Sequence, residues 1–207
     1  MVERGAGTRQ RLMTAAIELF AERGFDGTSV GEIERAAGLA PRSGALYQHF
    51  KGGKQELLRC AIEHELRAID ELDSVMEMLP LGDLRAEFTL LARWNLGSLE
   101  RRSALARFVR RDVTRLPPDL RDELFDRLVG QPYERIVDWL NERFAGAAER
   151  PDVPALALVL VESISAYHSL RRTFARTPDS VDDERFIAAW TETALAVARR
   201  YGIDERR

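Results

Sequence analysis

Arg42, Ser43, Ala45, Gln48 and His49 are the side chains with the clearest chemical use in this sequence, and they fall within eight residues. All are short, polar or basic. An arginine can bond guanine through two N–H groups, a glutamine can bond adenine, and an alanine methyl can meet the methyl of thymine. Tyr47 and His49 can add hydroxyl and ring donors to phosphates, which fix position without reading sequence. Lys51 and Lys54 follow in the run KGGK and suit the same task. Catalytic chemistry finds less support. The sequence holds no nucleotide phosphate loop, no HExxH and no GxSxG. One cysteine, Cys60, excludes an intramolecular disulfide and a cysteine-based metal site. The three histidines, His49, His64 and His168, are scattered. No cofactor and no metal are expected.

The elements that would position these groups surround a bend. Thr28 and Ser29 favour a helix N-cap, and Glu32 stands three residues after Ser29, the spacing of a capping box. Val30, Ile33, Ala36 and Ala37 then share a helical face. Gly38 supplies the positive φ that stops the helix. Leu39 would plug the angle of the bend. Pro41 suits the first turn of a second helix, Ser43 is a second possible cap, and Leu46, Tyr47 and Phe50 carry its apolar side. Two helices crossing at such a bend have the helix-turn-helix shape, whose second helix can enter the major groove. Upstream, Thr8 to Arg23 reads as a supporting helix with Leu12, Ala16, Ile17 and Phe20 as its stripe. The small core of this region is expected to be Leu12, Ile17, Phe20, Phe25, Ile33, Leu39 and Leu46. Val2 to Gly7 reads as a mobile polar arm.

The run TRQRLMTAAIELFAERGFDGTSVGEI followed by AAGLAPRSGALYQHFKGGKQELL resembles the N-terminal DNA-binding domain of the TetR family of transcriptional regulators. The likeness covers Thr8 to about Leu58. It rests on Ala15-Ala16, Leu19-Phe20, Gly24-Phe25, Thr28-Ser29-Val30, Ile33, Ala37-Gly38, Leu46-Tyr47, His49-Phe50, Lys54 and Leu57-Leu58, all in order. Leu39 and Leu46 enclose six residues, Ala40 to Ala45, where the family pattern has four. The recognition helix, or the turn leading into it, is therefore longer by two. The resemblance implies a DNA-contacting set of Thr28, Ser29, Arg42, Ser43, Ala45, Tyr47, Gln48, His49 and Lys54. It also implies a small-molecule effector pocket in the second half and a homodimer on double-stranded operator DNA.

The rest of the chain is read as all-α. Net charge is −3, divided as +2 over residues 1–60 and −5 over the remainder, a mild asymmetry of the right sign for a DNA-binding head. Helices are expected over Lys54 to Met78, Asp83 to Leu99, Ser103 to Leu116, Leu120 to Val129, Pro132 to Phe144, Pro154 to Phe174 and Asp182 to Tyr201. The last two carry more apolar surface than one face can bury, which suggests pairing of two copies through a four-helix bundle, with Leu160, Ile164, Phe186, Trp190 and Val197 as interface candidates. Trp94, Phe108, Trp139 and His168 are candidates for an apolar effector pocket between helices. No apolar run is long enough to span a bilayer, the longest being Ala155 to Val161, and the N-terminus lacks a secretory h-region, so a cytoplasmic protein with no membrane partner is expected. The organisation expected is an N-terminal three-helix DNA-binding domain over 1–55 and a larger effector-binding and dimerisation domain over 56–207. The function expected is sequence-specific regulation of transcription by a repressor released by its effector. An all-α enzyme using His168 or Glu162, or a helical protein-binding adaptor, stands as the alternative.

Overall fold

A computed structural model of the chain describes residues 2–67 and 71–204, and every regular element among them is helical, as the periodicity predicts. The described residues pack as two compact units. The first comprises the N-terminal residues up to 67 together with Arg102–Phe125, and the second runs from residue 71 to Arg101 and from Asp126 onward. This grouping differs from the 1–55 and 56–207 division, because the middle segment Arg102–Phe125 packs with the N-terminal helices.

The first unit holds α1 (Val2–Arg23), α2 (Val30–Ala36), α3 (Ala45–His49), α4 (Gly53–Arg67), α7 (Ser103–Asp112) and α8 (Pro118–Phe125). Helix α1 begins at Val2 rather than Thr8, so the expected mobile arm is the helix's first turns. It packs against α2, α4 and α7. The core is apolar and aromatic. Leu12, Ile17, Phe20, Ile33 and Leu46 are buried as expected, and Phe50, Leu57, Ile62, Leu66, Leu105 and Phe108 join them. Phe25 and Leu39 are only partly buried. Polar contacts between segments fix the packing. The Asp112 carboxylate accepts the Phe25 N–H at 3.1 Å. Arg111 donates to the Glu22 carbonyl at 2.6 Å, and Arg107 pairs with Glu18 at 2.8 Å.

The second unit holds α5 (Glu71–Met76), α6 (Leu84–Arg101), α9 (Gln131–Arg143), α10 (Val153–Phe174) and α11 (Asp183–Arg200), with a π-helical turn at Asp126–Gly130 leading into α9. The helix expected over Lys54 to Met78 appears as α4 and α5, and residues 68–70, Ile69 among them, lie outside the described residues. Helix α6 packs against α10 and α11, and α9 packs against α10. Phe88 stands edge-on to Trp139 and to Trp190, with ring centroids 5.2 and 5.9 Å away. Buried Glu87 bonds Arg143, at 2.7 Å to one guanidinium nitrogen. At 22 residues α10 has the length and apolar content of a bilayer-crossing helix, beyond what the shorter sequence run predicts. However, Leu160, Ile164, Tyr167 and His168 on it are buried in the unit's own core.

Candidate nucleic-acid interface

The bend is built from local signals. Ser29 caps α2, its hydroxyl oxygen 3.4 Å from the Glu32 N–H, while the Glu32 carboxylate accepts from the Ser29 N–H at 2.8 Å and from its hydroxyl at 2.7 Å. Those bonds, first of all the hydroxyl's, hold the Glu32 carboxyl below its ordinary value. At the other end Gly38 adopts φ +74°. Its N–H bonds to the Arg35 carbonyl at 3.0 Å, and the Leu39 N–H bonds to the Glu34 carbonyl at 2.8 Å. This pair of bonds is the Schellman arrangement, which closes a helix when the next residue tolerates the left-handed region.

The two additional residues lengthen the turn, not the helix. Residues 40–44 are non-helical and α3 is confined to Ala45–His49. Pro41 therefore lies outside the helix whose first turn it is expected to occupy. Arg42 sits at φ +61°, uncommon for a residue with a Cβ, and Gly44 at φ +75° serves as N-cap. A five-residue helix has little stability of its own. Its opening N–H groups are satisfied from outside. Ala45 N–H reaches the Ser43 hydroxyl at 3.3 Å, and Leu46 N–H reaches the carboxylate of Glu34, on α2, at 3.1 Å. Leu46, fully buried, pins the apolar side.

The residues expected to touch DNA separate into two groups. Ser29, Arg42, Ser43, Tyr47 and Gln48 are exposed, with His49 and Ala45 partly so. Ser29 caps the start of α2, and the others lie in the turn and along α3. Thr28 and Lys54 belong elsewhere. Thr28 is 1% exposed, and its hydroxyl donates to the Gly24 carbonyl at 2.8 Å. Lys54 spends its ammonium on the carbonyls of Phe25 at 2.7 Å and Thr28 at 3.0 Å, over the Phe25 ring. Both hold the α1–α2 connection, because buried carbonyls at a turn need donors. Glu34 is the residue missing from the expected set. The signal was present: position 34 falls on the Val30, Ile33, Ala37 face, where a charged residue conflicts with the periodicity.

Residues 12–61 match the family model described as bacterial regulatory proteins, tetR family. A segment of 44 residues is 48% identical to the HTH-type transcriptional regulator AcrR of Shigella flexneri, covering 21% of this chain and 20% of that protein. The fold extends the likeness further. A bacterial regulatory protein in the tetR family from Rhodococcus RHA1 superposes with a TM-score of 0.66 at 20% identity, over 95% of this chain and 98% of that one. The fatty acid degradation regulator FadR from Bacillus halodurans gives 0.66 at 16% identity, over 89% and 93%.

Residues 12–61 carry a tetR-family N-terminal domain. The matched segment spans only a fifth of the curated AcrR relative, so the sequence-level likeness lies in the DNA-binding head. The other expected residues are distributed between the two units. Phe108 is not with the other pocket candidates: it is fully buried in the first unit, its ring 6.1 Å from that of Phe20. Trp139 and Trp94 do lie in the second unit. Each has an indole N–H that is buried without a hydrogen-bond partner among the described residues. His168 is buried, its Nε2 3.0 Å from a Glu100 carboxylate oxygen that Arg171 also approaches at 3.4 Å.

The interface candidates need a similar correction. Leu160, Ile164 and Trp190 are buried in the unit's own core, and the Trp190 N–H donates to the Leu160 carbonyl and the Ser163 hydroxyl, each at 3.0 Å. Phe186 stacks on Tyr167 at 4.0 Å, and Val197 is partly exposed. The apolar groups left outside are others: Leu158, Val159, Leu170 and Phe174 on α10, with Val159 66% and Phe174 64% exposed. On α11, Ala188, Ala189 and Ala196 are exposed.

Proposed function

We propose that this protein is a DNA-binding transcriptional regulator that reads an operator with the turn and helix from Arg42 to His49. The observation that carries this reading is the exposed row Ser29, Arg42, Ser43, Tyr47, Gln48 on a head held rigid by buried contacts. The family's regulators are cytoplasmic and the same is proposed here. A homodimer would place two such heads on half-sites ~34–36 Å apart or a multiple of it, so the operator is an inverted repeat. The pairing surface is the exposed apolar face of α10 with the alanine face of α11, since one copy leaves both uncovered. Repression relieved by a small molecule is the proposed output. The partnerless indole N–H groups of Trp94 and Trp139 support a ligand carrying hydrogen-bond acceptors in the second unit. The enzymatic alternative loses its acid/base candidates, because Glu162 is exposed while His168 is buried against Glu100.

Arg42→Ala tests the reading residue by residue. Loss of ~1–3 kcal/mol on the selected operator, with random duplex unaffected, assigns Arg42 to a base edge. Equal loss on both assigns it to the phosphates.

A further inference from the structure

Glu34 is a carboxylate with 0% exposure on α2, bonded to the shortest helix of the head, α3. One oxygen, Oε1, accepts the Leu46 N–H at 3.1 Å and lies 3.4 Å from the Ser43 hydroxyl. The other, Oε2, is buried with no partner among the described residues. Burying a charge with only part of its hydrogen-bonding capacity used is costly, so an apolar side chain would suit this face better for stability alone. What the carboxylate provides is a rigid tie between α2 and α3. The five-residue α3 cannot hold its own direction, and the turn over residues 40–44 before it contains two left-handed residues, Arg42 and Gly44. Glu34 reaches both the turn, through Ser43, and the helix, through Leu46. Ser43 in turn accepts the Ala45 N–H at 3.3 Å, so the three groups form one chain of hydrogen bonds across the bend.

We propose that Glu34 is the positioning residue for sequence reading: it sets the angle at which Arg42 and Gln48 face the bases while touching no DNA itself. This rests on the DNA-reading function proposed above. Loss of the tie lets α3 swing about Leu46. Base contacts need alignment and suffer, whereas phosphate attraction tolerates the swing.

The test uses the full chain and two duplexes, an operator enriched from random DNA by the unaltered protein and a random sequence of equal length. Glu34→Ala is expected to lose about tenfold or more in affinity for the operator, the size of one lost buried hydrogen bond, and to stay within about twofold on random duplex at equal salt. Glu34→Gln keeps a carbonyl oxygen for the Leu46 N–H and is expected within about threefold of the unaltered protein on the operator. Circular dichroism at the binding temperature shows whether each variant is folded. Should Glu34→Ala unfold, Glu34→Met fills a similar volume without accepting the Leu46 N–H and is expected to show the same operator-selective loss at about threefold or more. Equal losses on operator and random duplex, or an unchanged operator affinity in Glu34→Ala, overturn the proposal. An unaltered protein that enriches no sequence sinks the DNA-reading function and this role with it. Discrimination that survives in every variant sinks this role alone.

Discussion

In the first unit Thr28, Lys54 and Asp112 each bond backbone groups of the α1–α2 connection, and Glu34 Oε2 is the buried exception left without a partner among the described residues. In the second unit Trp94 and Trp139 keep buried indole N–H groups without one, and α10 turns Leu158, Val159 and Phe174 to the outside. The difference follows from what each unit is proposed to do. A head that presents a fixed row of side chains benefits from every backbone group being tied. A unit that takes a ligand and a second copy must leave donors and apolar surface unsatisfied until they arrive.

The largest effect expected from breaking this contrast is in the head core. Phe108→Ala removes a ring that is fully buried beside Phe20. It is expected to cost ~3–5 kcal/mol in urea unfolding. A loss under ~1 kcal/mol would place Phe108 in a loosely packed site instead. Next is the outer face of α10. Leu158→Asp puts a charge on the proposed pairing surface and is expected to weaken self-association by ~2 kcal/mol or more, seen by sedimentation as a shift to single copies. Unchanged sedimentation would remove this face from the interface.

The smallest effect is at the cap. Ser29→Ala is expected to cost ~1 kcal/mol of stability. The Glu32 carboxyl is held below its usual value, first by the Ser29 hydroxyl, so its share of stability is present above that ordinary value and is lost as pH falls through the lowered one. The difference between Ser29→Ala and the unaltered protein should therefore narrow in acid. A gap that stays constant down to the acid transition would mean that Glu32 takes no part.

The same contrast explains what could be read from the sequence. The capping box at Ser29 and Glu32 and the stop at Gly38 are chemistry within a few residues, and each appears where its spacing puts it. The helices of the second unit were legible from their period, including α10 as a helix and not a strand. Which side of α10 faces inward was not. Leu158, Val159, Leu160 and Ile164 are all apolar, and periodicity cannot rank two apolar faces of one helix. Phe108 was misplaced because α7 returns to α1 over many residues, a contact no local pattern encodes. Thr28 and Lys54 carry the resemblance to the family, yet their partners are carbonyls of the same unit. Similarity marks that such positions matter without saying whether they meet DNA or the scaffold. Glu34 shows the opposite case, a residue visible as a conflict in the apolar face whose use emerges only when α3 lies beside it.

Selection of random duplex DNA on the purified protein at two salt concentrations tests the central claim most directly. The account predicts an enriched inverted repeat that persists at the higher salt, because base contacts survive when counterion release is weakened. Weak binding that vanishes with salt and enriches no sequence would contradict it, leaving a basic surface that attracts phosphate without reading bases.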